Sequence, residues 1–83
     1  LEEAETAARA NLEGRRLAFG ERDLRSAEGH ASLGAVLWRA GRLDESLVEQ
    51  QAAVAIARAV LAPEDPRLPA HLSRLANTLR HLG

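Results

Sequence analysis

The sequence repeats itself at a spacing of 42 residues, and this period constrains the fold more than any other feature of the chain. When the chain is shifted against itself by 42 positions, identical residues meet, including Gly, Asp and Arg pairs that an Ala- and Leu-rich composition does not readily supply. The identities are Leu1 with Leu43, Glu3 with Glu45, Ala10 with Ala52, Arg16 with Arg58, Asp23 with Asp65, Arg25 with Arg67, Leu33 with Leu75, Leu37 with Leu79, and Gly41 with Gly83. Such a period is typical of stacked units that each bury an apolar face against a neighbour.

Apolar residues recur at helical spacing within each period. In the last segment, steps of four and three residues separate Leu68, Leu72, Leu75, Leu79 and Leu82. Ala and Leu are strong helix formers, and aromatic residues, which favour strands, make up only 2% of the chain. Gly41 and the Pro-containing run 63–66 interrupt the pattern. We therefore expect an all-α fold with helices over about 2–19, 26–40, 43–61 and 67–82.

The start of the last helix has its own signals. Asp65 precedes Pro66, which predicts an N-cap followed by Pro at the first helical position. Pro69 also fits the first turn, where its missing N–H costs little.

Composition excludes several classes of protein. The formal net charge is −1, and all 11 basic residues are Arg, so a nucleic-acid module with a basic excess is not expected. No apolar run is long enough to span a membrane. The absence of Cys excludes disulfides and thiolate metal sites. There is no Met and no signal-peptide pattern, and we interpret the chain as a piece of a longer, cytoplasmic protein.

Two segments resemble a known repeat family. Residues 33–46 run from a Leu-Gly pair through Leu37 to Gly41, then a basic, a hydrophobic and two acidic residues, and residues 62–67 read Ala-Pro-Glu-Asp-Pro-Arg. Both resemble the tetratricopeptide repeat, in the 42-residue variety of kinesin light chain and many bacterial repeat arrays, although Ser46 replaces the usual Ala. The resemblance implies antiparallel helix pairs stacked into a right-handed superhelix. Residues 1–25 are then the second helix and loop of one repeat, 26–66 a complete pair with its loop, and 67–83 the first helix of the next.

The repeat pattern assigns packing roles by residue size. Small residues let the two helices of a pair approach closely, and these are Ala4, Gly34, Ser46, Ala53 and Ala76. Large residues fill the space between pairs, and these are Leu33, Leu37, Leu47, Leu61, Leu75 and Leu79.

In the family that the sequence resembles, the first helix of each pair lines a concave groove. Carried onto this chain, the groove contains Glu28, Ala31, Ser32, Ala35, Trp38 and Arg39 from one helix, and Ala70, Ser73, Arg74, Asn77, Arg80 and His81 from the next. The guanidinium group of Arg can bind a carboxylate through two hydrogen bonds, and Trp and Arg are common among the residues that contribute most to binding energy. We expect an acidic peptide, or one with a free carboxylate, at a site formed by Trp38, Arg39, Arg74, Asn77, Arg80 and His81.

A simpler interpretation of these residues stays open. The arginines are also what the solvated face of an amphipathic helix carries, and Trp38 also suits packing against the neighbouring helix. The family often places an Asn pair before its Leu-Ala or Leu-Gly pair to hold peptide backbone. This chain has Ala31-Ser32 and Ser73-Arg74 there, so a ligand is not expected to be held in that way.

Catalysis and metal binding are not expected. His30, His71 and His81 lack the i,i+3 or i,i+4 spacing of a helical metal pair, and we expect His30 at the boundary of the core. The serines have no accompanying base motif, and there is no Gly-rich phosphate loop. The sequence therefore predicts neither an enzyme nor a cofactor.

Three functions remain as hypotheses. The first is a protein-interaction scaffold that binds a peptide or partner domain in the groove. The second is a structural spacer or self-association segment of a longer array, in which the apolar faces of the terminal helices pair with another copy. The third is a ligand-sensing regulatory array for an attached effector domain. The Arg-only, Ala-rich composition indicates a bacterial source with a GC-rich genome.

Overall fold

A computed structural model describes residues 2–82, which form four α-helices and no strand. The helices are α1 (Glu2–Phe19), α2 (Leu24–Arg39), α3 (Leu43–Val60) and α4 (Leu68–Leu82). The all-α prediction is confirmed, and α1 has the predicted bounds. The second helix begins at Leu24 instead of Ser26 because the Asp23 carboxylate accepts the backbone N–H of Arg25 at 2.8 Å and caps the helix there.

Two glycines end helices in the left-handed conformation. Gly20 follows α1 with φ +89°, and Gly41 follows α2 with φ +78°. At Gly41 the chain closes a paired turn, since the Gly41 N–H donates to the Trp38 carbonyl at 3.0 Å and the Arg42 N–H to the Leu37 carbonyl at 2.9 Å. This arrangement satisfies two end carbonyls of α2 and turns the chain into α3 within three residues.

The same Asp-x-Arg turn precedes α2 and α4. Asp65 accepts the backbone N–H of Arg67 at 2.9 Å, as Asp23 does from Arg25, and each carboxylate also binds the side chain of its own Arg. Asp65 therefore accepts a backbone N–H as expected, but the contact lies in the turn before α4, and Asp65 is not the N-cap that the sequence predicted. However, α4 starts at Leu68, so Pro66 precedes the helix instead of opening it, while Pro69 lies in the first turn.

Consecutive helices pack in antiparallel fashion around two small clusters. Between α1 and α2, the core consists of Leu12, Leu33 and Leu37, with Ala8 packed against it. Between α2 and α3, it consists of Ala27, Ala31 and Ala53, flanked by Leu24 and Ile56. In both clusters, residues from the start or middle of the first helix meet residues from the later part of the next helix, which fixes the antiparallel sense.

Close approach of α2 and α3 depends on small residues. A Cβ placed on Gly34 would lie 3.0 Å from the Gln50 Cγ and 3.5 Å from the Ser46 carbonyl oxygen. Ser46 is fully buried, and its hydroxyl donates to the Gly34 carbonyl at 2.7 Å. His30, expected at the core boundary, is half-buried and hydrogen-bonded to Glu49 of α3 at 2.8 Å.

Several packing predictions fail on the outermost helices. Ala4 and Ala76 were predicted to lie in close helix contacts, but both are exposed. Leu79, predicted to fill the space between helix pairs, is 48% exposed. The physical reason is that no helix within residues 2–82 covers the outer side of α1 or of α4. Within the same residues, no helix is long and apolar enough to cross a membrane.

Candidate functional site

A groove lies between α2 and α4, with α3 as its floor. Helix α3 packs against both of them. Trp38 at the end of α2 meets His81 at the end of α4, while Glu28 near the start of α2 shares a cavity with Arg67 and His71 near the start of α4. The two walls therefore run in the same direction, as expected for equivalent helices in successive periods.

The half of the groove near the helix C-termini holds a cavity of about 320 Å³. Its lining consists of four residues of α2, one of α3 and three of α4, namely Ala31, Ala35, Trp38, Arg39, Gln50, Arg74, Asn77 and Thr78. Four of the six predicted site residues thus line one cavity: Trp38, Arg39, Arg74 and Asn77. The other two, Arg80 and His81, lie beside it.

The aromatic ring of Trp38 and the imidazole of His81 close one end of this cavity. Their centroids are 4.6 Å apart with an interplanar angle of 75°, which is an edge-to-face contact. His81 is in turn held by a 2.9 Å hydrogen bond between its Nδ1 and the Asn77 carbonyl oxygen. Trp38 therefore does pack on the neighbouring helix, and its indole is only partly buried, so a face of it remains available to a ligand.

The arginines of the cavity differ from most others in the chain. Six of the 11 arginines pair with a carboxylate, and these are Arg9, Arg15, Arg16, Arg25, Arg42 and Arg67. Within residues 2–82, five arginines have no carboxylate within 4 Å, namely Arg22, Arg39, Arg58, Arg74 and Arg80, and of these Arg39 and Arg74 line this cavity. Arg80 donates to the side-chain oxygen of Asn77. The cavity therefore has two guanidinium groups that the described part of the chain leaves without a counter-charge.

A hydrogen-bonded chain of buried side chains forms the floor of the groove. The Thr78 hydroxyl donates to the Gln50 side-chain oxygen at 2.6 Å, and the Gln50 amide donates to the Ser46 hydroxyl at 2.9 Å. Thr78 is fully buried, and Gln50 is 7% exposed. Since these bonds join α4 to α3, and Ser46 joins α3 to α2, they set the position of one wall relative to the other.

Gln50 and Thr78 are functional candidates that the sequence reasoning missed. The groove was assigned only to the first helix of each pair, whereas Gln50 belongs to α3. One signal was available, because Gln50 lies four residues after Ser46 on a face that is otherwise apolar. Nothing in the sequence pairs Gln50 with Thr78, which lies 28 residues away.

The other half of the groove holds a second cavity of about 410 Å³ near the helix N-termini. Two of its three charged lining residues have partners, since Arg67 binds Asp65 and Glu28 lies 4.0 Å from Arg15, and the third is Arg74. Partial burial lowers the pKa of His71, and the nearby Arg74 acts in the same direction, although Glu28 opposes it. This half therefore shares Arg74 with the first cavity, but it lacks Arg39 and contains the carboxylate of Glu28.

The two cavities differ in the chemical groups that line them. Ser32, His71 and Glu28 share the lining of the second cavity, but no hydrogen bond within residues 2–82 joins any two of these side chains. Among residues 2–82, no three His, Asp or Glu side chains lie close enough together to hold a metal ion. No family model, curated protein or solved structure matches the chain.

Proposed function

We propose that this chain is a protein-interaction module of tetratricopeptide-like helix pairs that binds an extended peptide in the groove between α2 and α4. The peptide carries an acidic side chain or a free carboxylate, seated between Arg39 and Arg74. The observation that carries the proposal is that Arg39 and Arg74 line the same cavity and that neither has a carboxylate within 4 Å among residues 2–82.

Charge-assisted bonds from Arg to a carboxylate are short and often bidentate, which gives both affinity and orientation. Arg39 comes from α2 and Arg74 from α4, so a carboxylate between them contacts both walls of the groove. Asn77, beside them in the lining, supplies a side-chain amide for peptide backbone.

The rest of the cavity favours an apolar side chain next to the carboxylate. Ala31 and Ala35 leave space along α2, and the Trp38 indole forms a flat wall at one end. Burying an apolar side chain against such a wall adds a hydrophobic contribution, and Trp and Arg together are the residue types most enriched at binding hot spots. The preferred ligand is therefore an acidic residue followed or preceded by an aliphatic or aromatic one.

Isothermal titration with a library of acidic peptides tests this proposal. Arg74→Ala is expected to lower the affinity of the best peptide about tenfold or more, because it removes a charged partner from the cavity. The matched control is Arg58→Ala, which removes the same charge from an exposed position in the last turn of α3, outside the lining of either cavity.

The two variants separate a specific site from general attraction. If Arg58→Ala weakens binding as much as Arg74→Ala, the peptide is attracted only by overall charge and the site is wrong. If Arg74→Ala binds like the parent protein, the named site is excluded. Peptides in which Asp and Glu are replaced by Asn and Gln are expected to lose binding, since the guanidinium groups then have no carboxylate to pair with.

A further inference from the structure

The three histidines of the chain differ in what their imidazole rings contact. His30 is hydrogen-bonded to the carboxylate of Glu49 at 2.8 Å, and His81 to the carbonyl oxygen of Asn77 at 2.9 Å. Within residues 2–82, the ring nitrogens of His71 make no hydrogen bond, although the residue is half-buried and lines the second cavity of the groove. The imidazole of His71 is therefore free to change its protonation state when a ligand enters the groove.

Arg74 connects His71 to the place proposed for the peptide carboxylate. It lines both cavities, the first together with Arg39 and the second together with His71. His71 and Arg74 lie three residues apart on α4, a spacing that makes two side chains neighbours on one face of a helix. A carboxylate bound to Arg74 therefore lies near His71 and compensates the positive charge beside it.

The groups around His71 act on its protonation in opposite directions. Burial, and then the positive charge of Arg74, lower the pKa of His71 below its ordinary value of 6.5, whereas Glu28 on the opposite wall acts to raise it. The other charged residue of this cavity, Arg67, is already paired with a carboxylate. Helix α3, which also packs against α4, carries one charged residue in its second half, Arg58, which is exposed and lines neither cavity. A ligand that compensates Arg74 removes a contribution that disfavours the imidazolium and leaves the contribution of Glu28, which favours it.

We propose that the groove takes up a proton from solvent at His71 when an acidic peptide binds at Arg74, so that the peptide binds more tightly as the pH falls. The inference rests on the proposed function, because the peptide carboxylate between Arg39 and Arg74 is the group that changes the surroundings of His71. Once protonated, His71 on α4 carries the charge opposite to that of Glu28 on α2 in the same cavity, and their attraction draws the two walls of the groove together. Because the coupling is reciprocal, the proton raises the affinity for the peptide by the same factor as the peptide raises the affinity for the proton.

Isothermal titration over a range of pH gives the first test. The probe is the peptide that binds best in the acidic library, provided that it contains no histidine, and its Asp or Glu stays ionised above about pH 5. Between about pH 8 and pH 5 the affinity of the parent protein is expected to rise about threefold, which is the effect of two unit charges about 6 Å apart at a water-exposed site. The rise levels off once His71 is protonated in the free protein as well.

Two substitutions assign this pH dependence to one histidine. His71→Gln removes the titrating ring and is expected to abolish the rise in affinity. The matched control is His30→Gln, which removes an imidazole that lines neither cavity and is expected to keep the rise. A rise that persists in His71→Gln belongs to another group, such as His81 beside Trp38, and overturns the proposal.

Nuclear magnetic resonance titration of the His71 ring gives a second measurement, which does not require His71 to be replaced. In the parent protein the midpoint of the titration is expected to move to higher pH when the peptide is added. Without peptide, Arg74→Ala is expected to raise the midpoint and Glu28→Gln to lower it, since each removes one of the charges that act on the ring. An unchanged midpoint on adding the peptide, or in both variants, overturns the proposal.

The outcomes separate this inference from the proposed function. If Arg74→Ala binds the peptide like the parent, the carboxylate site is wrong and the coupling to His71 is wrong with it. If Arg74→Ala weakens binding while the parent binds equally well at pH 8 and pH 5, the proposed function stands and only the role of His71 is excluded.

Discussion

Helices α2 and α4 occupy the same place in successive periods, yet they are buried to very different extents. Both carry the Leu pair at equivalent positions, Leu33 and Leu37 in α2 and Leu75 and Leu79 in α4. Leu37 is 1% exposed and Leu79 is 48% exposed. The same residue type at the same repeat position therefore ends up in the core in one helix and half in solvent in the other.

The difference comes from neighbours and not from the helices themselves. Helix α2 is packed between α1 and α3, while within residues 2–82 α4 packs closely against α3 alone and meets α2 through the contact of His81 with Trp38. In a stacked repeat, stability is a sum of such neighbour contributions. Helix α4, which forms one wall of the groove, consequently has less apolar packing to hold it and depends more on the polar bond from Thr78 to Gln50.

The largest expected effect comes from truncating the equivalent leucines. Leu37→Ala is expected to lower the free energy of unfolding by about 2–5 kcal/mol, because it leaves a cavity in the α1–α2 core. Leu79→Ala is expected to cost less than about 1 kcal/mol, since half of that side chain is already in water. Urea unfolding of both variants in dilute protein checks the difference, and equal losses would show that α4 is as well packed as α2.

Adding volume at the equivalent small residues is expected to have the next largest effect. Gly34→Val forces a side chain against the Gln50 Cγ, which lies 3.0 Å from the position of a Cβ, and is expected to cost about 1–3 kcal/mol by overpacking. Ala76→Val introduces the same side chain on an exposed face and is expected to change stability by less than about 0.5 kcal/mol. Thermal unfolding of the pair provides the measurement, and a stable Gly34→Val variant would contradict close packing at α2–α3.

The sequence predicted the helices because their signals are local. Steps of four and three residues between leucines, and Gly at helix ends, depend only on nearby residues, and α1 was predicted with its observed bounds. Periodicity shows which face of a helix is apolar, but it does not show whether another helix covers that face. For that reason Leu79, Ala76 and Ala4 were assigned to packed positions that they do not occupy.

The sequence predicted which helices and which four residues line the groove, but not the contacts between their side chains. The resemblance to the tetratricopeptide repeat implies that α2 and α4 line the same groove, and on that basis Trp38, Arg39, Arg74 and Asn77 were expected to be neighbours. That Arg39 and Arg74 lack a carboxylate partner, in contrast, depends on where every acidic side chain lies in space. The bond between Gln50 and Thr78 likewise depends on side-chain geometry between two helices and has no local signal.

Removing the hydrogen bond between Thr78 and Gln50 tests whether this bond holds α4 in place. Thr78→Val keeps the shape of the side chain but leaves the buried Gln50 oxygen without its hydroxyl donor, and is expected to cost about 1–2 kcal/mol. Hydrogen exchange is expected to accelerate at the amides of α4 more than at those of α2. Thr6→Val, at an exposed position of α1, is the control and is expected to leave both measurements unchanged. Uniform acceleration across α2 and α4 would mean that the bond supports the whole fold and not one wall.

The smallest expected effect on stability comes from the Asp-x-Arg turn, which precedes both α2 and α4. In both turns the Arg side chain, and then its backbone N–H, lowers the pKa of the Asp carboxyl from 3.8 to about 2. Because the folded state holds these carboxyls below their ordinary pKa, they stabilise the fold above about pH 4, and that contribution is lost as the pH falls from about 4 towards 2. Glu5, whose pKa Arg9 also lowers, acts in the same direction, so single variants are needed to isolate each turn.

Asp23→Asn and Asp65→Asn keep a side-chain oxygen that can accept the same backbone N–H but remove the titrating group. Each is expected to lower Tm by a few degrees at neutral pH and to unfold with a weaker pH dependence between about pH 4 and 2, so that the difference from the parent shrinks in acid. Since the two turns have nearly the same hydrogen-bond lengths, the change in pH dependence is expected to be equal for the two variants. If the two variants differ in Tm at neutral pH, the difference then reflects how differently α2 and α4 are packed against neighbouring helices. Unequal pH profiles would instead show that the turns themselves differ, and that packing alone does not separate α2 from α4.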